Sequence, residues 1–361
     1  MKKILFAAIV SSLILAGCSS TNVVERKNVD RKITWEVGGH LPAQKGYEKN
    51  IGTAGVLYGS LEGKYIVVGG GANFPVKPVA QGGPKFLYSD VYVLTENNGE
   101  VTVVEHTNLP HEIGYGASVT TPTGIYYIGG AANAEQDNDI WFLSMKEVGD
   151  LPFTFQNGGA VEKDGKLYVH TGKQAGQASN KFYSYDLTTQ EVKELAPVPG
   201  ETRTQSVSQL LNGELYVFGG GNSKAFVDGY KYNFETNTWT EVAPVVINGK
   251  EVSVLGANSV KLNESEMMVI GGFEKQLWND ANYYLGNLKG DELANYKAKY
   301  FGADPYEFGW NRDVLVYNAD TNTWKTIGEI PFDAPCGEGL VLLGNKVFSI
   351  NGEIKPGIRT D

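Results

Sequence analysis

The feature that most restricts what this chain can fold into is a unit that recurs six times: an apolar strand ending in Gly-Gly or a relic of it. It occurs at residues 65–70 (YIVVGG), 125–130 (IYYIGG), 167–172 (LYVHTG), 215–220 (LYVFGG), 267–272 (MMVIGG) and 347–352 (VFSING). A turn such as Asp164-Gly165 or Asn212-Gly213 precedes the unit, with another apolar run before it. Downstream come a Tyr-bearing strand and then a Trp-bearing strand. Residues 232–239 (YNFETNTW) and 317–324 (YNADTNTW) agree at six of eight positions.

Four short strands per unit, repeating at roughly 50 residues, predict an all-β chain folded as a six-bladed β-propeller. Gly pairs, Tyr and Trp at these offsets resemble kelch repeats across nearly the whole mature chain. Glycine allows sharp turns where blades crowd the axis, and aromatic rings fill the wedge between neighbouring sheets. The 45 Gly and 11% aromatic residues fit this reading and exclude a helical array. The spacing breaks most widely over residues 274–309, an insertion in blade five with a helix-like run at 291–301 for which Asp291 is the expected N-cap. This insertion either walls a site at one mouth of the propeller or is a packing insert. Residues 32–37, with Trp35, look like an outer strand that pairs with the last blade to close the ring. A third strand for that blade is expected after Asp361; either the blade is short or the sequence lacks a few terminal residues.

The first 17 residues read as an export signal: Lys2 and Lys3, an apolar run from Ile4 to Ala16, then Gly17-Cys18. The run is too short to span a bilayer. Leu15-Ala16-Gly17-Cys18 resembles a bacterial lipobox, in which Cys18 is acylated and becomes the first residue; the alternative is ordinary cleavage near Ala16. Residues 18–31 are then a polar tether and 32–361 the propeller. Ser19, in place of an aspartate, favours the outer membrane. The expectation is an exported, periplasm-facing lipoprotein that meets the membrane only through its lipid. A net charge of −10 offers no footprint for nucleic acid. Only Cys336 remains as a thiol, so no internal disulfide is expected. With four His, neither a metal site nor a cofactor is expected.

Strands in a blade run antiparallel, so loops following the Gly pairs share a mouth with loops leading into each blade. The first set carries Asn73, Lys173, Asn222, Glu274 and Glu353; the second carries His111, Glu112, Tyr115, Asn157, Arg203, Gln205, Asn258 and Glu338. Beyond the tether there are three arginines, Arg203, Arg312 and Arg359, and two of them fall at this mouth. Their planar fork suits a carboxylate; the competing reading is local pairing with Glu201 or Asp361. Glu353 is a candidate general base, or an acid if desolvation raises its pKa. The spacing alone favours a structural Glu–Arg salt bridge.

The terminal segment, Asn351-Gly-Glu-Ile-Lys-Pro-Gly-Ile-Arg-Thr360, closely resembles a loop of the N-acetylneuraminate epimerases, or sialic acid mutarotases, six-bladed kelch propellers. Residues 199–205 (PGETRTQ) and the helix-like insertion resemble further family segments. The resemblance assigns Glu353 as proton acceptor and Arg359 as its functional partner. In the family this loop lies mid-chain, and the later blades match residues of about 50–143, so the sequence resembles a cyclically permuted subgroup. The implied reaction interconverts the α- and β-anomers of N-acetylneuraminate by general acid–base ring opening and closure, without metal or cofactor. Arg359 with Arg203 then holds the sugar carboxylate. Gln205, Asn73, Tyr115 and Asn258 are further sugar-binding candidates, and Tyr115 or His111 is the candidate acid partner. The reading from another class is a lipid-anchored kelch module that binds glycan or protein without turnover. A sialidase is disfavoured, since its Ser-x-Asp-x-Gly-x-Thr-Trp box and three mouth-facing arginines are missing. A kelch-type copper radical oxidase is disfavoured because the His residues form no paired-ligand motif; Cys336 reads as a buried small apolar residue.

Overall fold

The computed structural model describes residues 31–131, 137–143 and 146–360. The export signal, the acylation site Cys18 and nearly all of the tether lie outside the described residues, as does Asp361. Residues 33–361 form one compact unit.

Four antiparallel sheets carry four strands each in chain order, and the first sheet in the chain carries five. Their first two strands are Leu57–Leu61 and Tyr65–Gly69, Ala117–Thr121 and Gly124–Ile128, Gly159–Lys163 and Lys166–His170, Val207–Leu211 and Glu214–Phe218, and Asn258–Lys261 and Glu266–Ile270. A sixth sheet has two strands, Gly339–Leu343 and Lys346–Ile350. Each Gly-pair segment of the sequence supplies the second strand of a sheet. The first sheet is extended, its last two strands being Phe86–Asn97 and Glu100–Ile113. First strands of successive sheets lie side by side, and Gly339–Leu343 lies beside Leu57–Leu61.

The internal Tyr…Trp repeat is a hairpin that fastens each sheet to the one before it. In the fourth sheet Tyr232 pairs with Trp239 across the ladder, and in the fifth Tyr317 pairs with Trp324. The Asn within each hairpin, Asn237 or Asn322, has φ near +50°, a conformation Asn tolerates better than most residues. From there Asn237 Oδ1 accepts from the Tyr232 hydroxyl at 2.7 Å and from Ala196 N–H, just past the third sheet, at 2.9 Å. Trp239 Nε1 donates to the carbonyl of the same alanine at 2.7 Å. The next repeat reproduces the arrangement: Asn322 Oδ1 accepts from Tyr317 and Ala243, and Trp324 Nε1 donates to Ala243 O at 3.3 Å. The two indoles meet Phe182 and Phe218 edge-on at 5.5 and 4.8 Å, which fills the wedge between sheets.

The residues leading into the six first strands form a circuit. Tyr115 N–H donates to Gly55 O, Asn157 to Tyr115, Gln205 to Asn157, Gly256 to Gln205, Gly337 to Gly256, and Gly55 back to Gly337, over 2.7–3.2 Å. All six residues have φ between +53° and +79°. The Gly pairs are required where this crowded lead-in passes: a Cβ on Gly129 would lie 2.2 Å from Phe155 O, and one on Gly271 2.1 Å from Pro335 O. Crowding by the backbone of the following unit is therefore the constraint on these glycines.

Two expectations are corrected. Residues 32–37 form no strand; Trp35 instead packs edge-on against Phe332 at 6.2 Å, on the core of the fifth and sixth sheets. The insertion contains two helices, α1 (Lys275–Asn287) and α2 (Gly290–Gly302). Asp291 is not the N-cap of α2; Lys289 occupies that position, and Asp291 with Glu292 lies in the first turn, where acidic groups complement the helix dipole. Helix α1 is capped by Glu274, whose carboxylate accepts from Leu277 N–H at 2.6 Å. It docks on the loop following the fourth sheet's Gly pair: Trp278 Nε1 donates to Asn222 O, and Asn279 Oδ1 accepts from Ala225 N–H.

Candidate active site

The six-residue spacing of Glu353 and Arg359 is the geometry of a tight hairpin, Glu353–Lys355 against Ile358–Arg359, in which the two residues are cross-strand partners. Pro356 and Gly357, the latter at φ +87°, make the turn. Cys336 anchors its base by exchanging both backbone hydrogen bonds with Glu353, at 2.8 and 2.9 Å. On one flank Lys355 Nζ donates to Ala303 O and Phe301 O at the C-terminal end of α2, at 2.6 and 3.3 Å. On the other, Gly357 lies against Val79 of the short helical turn Val79–Gln81, so closely that a Cβ would fall 2.4 Å from it.

Glu353 Oε1 accepts from Arg359 Nη1 at 2.7 Å and from Gly357 N–H at 2.6 Å. The Glu353 side chain is 16% exposed and that of Arg359 only 3%. Burial raises the Glu353 carboxyl above the usual carboxylate range, and Arg359, the Gly357 N–H and Lys85 pull it only part of the way back. Arg359 also donates from Nε to Ala72 O at 3.2 Å and lies 4.8 Å over the Phe74 ring.

Glu353 stands in the wall of a cavity of about 590 Å³ bounded by the first strands of all six sheets. Tyr115, Asn157 and Gln205, the three non-glycine members of the backbone circuit, share that wall with Phe273 and Asn258. The Tyr115 ring lies flush on Gly55, where a Cβ would approach it to 2.3 Å. Burial raises the pKa of its phenol, and the positive charge of the nearby Arg359 guanidinium opposes the shift. Glu353, Arg359 and Tyr115, drawn from the chain terminus and the second sheet's lead-in, thus form one cluster.

Other sequence candidates fall elsewhere. Asn258 is in the wall, tied to the Tyr58 hydroxyl at 3.0 Å and to the Glu338 carbonyl. Asn73 is buried and spent on backbone: Nδ2 donates to Ile51 O and Gly52 O at 2.7 and 2.8 Å, and it does not line the cavity. Arg203 requires correction. It is 1% exposed, is gripped at both guanidinium nitrogens by Asp228, donates further to Pro199, Glu201 and Gly219 carbonyls, and does not line the cavity. Its ion partner is Asp228, and not Glu201 as the local-pairing reading supposed. His111 is also displaced, lying outside the cavity with its ring 5.5 Å from Trp141.

Two groups gain weight from the structure. Glu338 is wholly buried, and neither carboxyl oxygen has a hydrogen-bond partner; burial raises its pKa to about 8. Lys85, in the loop that follows the first Gly pair, is exposed and holds Nζ 4.5 Å from the centre of the Tyr115 ring. Its only advance signal is the long interval between the first two Gly pairs.

Comparison with known proteins bears on this arrangement. The family model described as N-acetylneuraminate epimerase matches residues 148–361, which include Glu353 and Arg359. The N-acetylneuraminate epimerase of Salmonella enteritidis PT4 is 36% identical over 224 residues, 59% of this chain and 56% of that protein. That of Yersinia pestis (strain Pestoides F) is 32% identical over 221 residues, 58% of this chain and 55% of that protein. The chain thus spans little more than half the length of the curated relatives it matches. The solved structure of YjhT is similar with a TM-score of 0.53 and 27% identity, over 59% of this chain and 63% of that one. With more than half of its residues covered by the family model, the chain belongs to the N-acetylneuraminate epimerase family.

Proposed function

We propose that this protein is a sugar-acid mutarotase that interconverts the anomers of N-acetylneuraminate. The observation that carries the reading is the cluster in the cavity wall: a desolvated carboxyl, Glu353, held by Arg359 beside the Tyr115 phenol. The names of the family and of the curated relatives support the substrate.

In the reaction the Glu353 carboxylate takes the proton of the anomeric C2 hydroxyl while Tyr115 gives its proton to the ring oxygen. The bond between C2 and the ring oxygen breaks, leaving an open-chain 2-keto acid. Rotation about the bond from C2 to C3 presents the other face of the ketone. Return of both protons by the reverse route closes the ring on that face. A raised carboxyl pKa makes Glu353 a stronger base than a solvated glutamate, and a phenol that stays protonated at neutral pH is available as the acid. Arg359, hydrogen-bonded to Glu353 and electrostatically coupled to Tyr115, is a positioning residue: its guanidinium fixes the carboxylate and its charge favours proton loss from the phenol. Acid–base assistance of this kind is worth about 10²–10⁴ in rate, enough for a reaction that already proceeds slowly in water.

The scaffold reading is a closed six-bladed kelch propeller, supported by the side-by-side first strands and the backbone circuit. A family match confined to the stretch ending in the Glu–Arg hairpin supports a cyclic permutation. The deciding experiment follows anomer exchange by NMR from freshly released α-sugar. Wild type is expected to accelerate it, and Glu353→Gln to fall to the spontaneous rate while still binding sugar. Exchange in the variant at the wild-type rate removes Glu353 from the mechanism. Saturable binding by wild type without acceleration replaces the enzyme with a glycan-binding module.

A further inference from the structure

The carboxylate of a sugar acid needs a cation at the cavity, and the arginines that the sequence offers are already engaged. Arg203 is enclosed by Asp228 and backbone carbonyls, and both Arg312 Nε and Nη2 donate to Ile330 O. Arg359 is committed to Glu353 and Ala72 O, lies over the Phe74 ring and keeps only 3% of its side chain exposed. Resting on the mutarotase reading, we propose that Lys85 is the anchor for the substrate carboxylate, reaching it across the face of Tyr115, a wall residue of the cavity that Lys85 itself does not line.

Lys85 stands at the end of a braced loop. Immediately beyond it Phe86 and Leu87 pair with Asn73 and Ala72, and the middle of the loop is wedged against the Glu353–Arg359 hairpin at Val79. Its Nζ lies 4.5 Å from the Tyr115 ring centroid, a distance at which the ring face attracts an ammonium and leaves its N–H groups free to donate. Partial desolvation, Arg359 and Lys173 lower the Lys85 pKa, against the opposing pull of Glu353. Positive charge around Lys85 is thus answered by one carboxylate, Glu353, which Arg359 already holds. A second carboxylate relieves the repulsion, and the substrate carries one. The same contact orients the sugar: with the carboxylate drawn over Tyr115, the anomeric carbon that bears it is brought toward Glu353 and the phenol.

The test compares N-acetylneuraminate with its methyl ester, which keeps the ring and loses the charge, in wild type, Lys85→Met and Lys85→Arg. Two readouts are taken, anomer exchange and calorimetric binding of each sugar. Lys85→Met is expected to raise KM and Kd for the acid about tenfold or more, as loss of one charge-assisted hydrogen bond does, with kcat within about threefold. The ester distinguishes the two proteins little, and Lys85→Arg recovers most of the preference for the acid. An unchanged acid-to-ester ratio in Lys85→Met overturns the anchor and leaves the mutarotase standing. Wild type that binds the acid through Lys85 without accelerating exchange leaves the anchor standing and overturns the mutarotase. Failure of wild type to bind the acid overturns both.

Discussion

At the scale of single residues, two carboxyls of the last sheet and its hairpin have opposite circumstances. Glu353 is buried but partnered; Glu338 is buried and has no partner for either oxygen. Burial lifts Glu338 from the ordinary glutamate value of 4.5 to about 8. Across that interval the folded protein holds a proton that the unfolded chain has released, so stability falls as pH rises. The slope approaches about 1.4 kcal/mol per pH unit and levels off above the folded value. Glu338→Gln, which removes the titration, is expected to flatten this decline and to be the more stable protein at pH 9; urea unfolding at pH 5, 7 and 9 measures it. Equal slopes in the two proteins contradict the assignment. The Glu338 position was visible in the sequence as a polar residue leading into the last sheet, but its desolvation was not, because burial arises from neighbouring sheets. The same holds for Arg203. Its scarcity and position pointed to a ligand, yet Asp228, 25 residues along the chain and brought back by the strand hairpin, satisfies it instead.

At the scale of elements, the Tyr…Trp hairpin was legible as a repeat, and its role is now specific. Asn322 closes its own turn at φ +50° while its side chain binds Tyr317 and the Ala243 N–H of the preceding sheet. Asn322→Ala loses both bonds and adds left-handed strain, a combined cost of about 2 kcal/mol. Asn322→Gly loses the bonds alone and is expected to lose less. Urea denaturation ranks the three proteins, and an Ala variant as stable as wild type excludes the fastening role. The Glu–Arg segment was legible as a loop motif, and the structure makes it a hairpin turned at Pro356-Gly357. Its bracing by α2 and by Val79 was not, because each contact joins segments far apart in the chain. The first helix, α1, went unread: its aromatic and amide-rich sequence carries a weak apolar stripe, and its start is fixed by the Glu274 cap and the dock on Asn222 and Ala225.

At the scale of the whole molecule, the backbone circuit brings residues from six lead-ins to one place. It sets Tyr115, carried by the second sheet, beside a hairpin at the end of the chain. In the proposed closed ring, a permutation of chain order would move the termini and leave the cavity alone. The proposed location is exported and lipid-anchored through Cys18. Cys18→Ser is expected to shift the protein from the membrane fraction to the soluble periplasmic fraction, read by fractionation and by mass spectrometry of the N-terminal peptide; an unchanged distribution argues against the anchor.

The sequence by itself determined the strand repeat, the Tyr…Trp segments and the Glu353–Arg359 pair, because each is a pattern of residue types along the chain. Only the tertiary structure decided which cations remain available to a ligand, which carboxyl is stripped of water and which phenol meets the Glu353–Arg359 pair. Those properties depend on what is packed against a group, and here the neighbours come from sheets that the chain visits up to hundreds of residues apart.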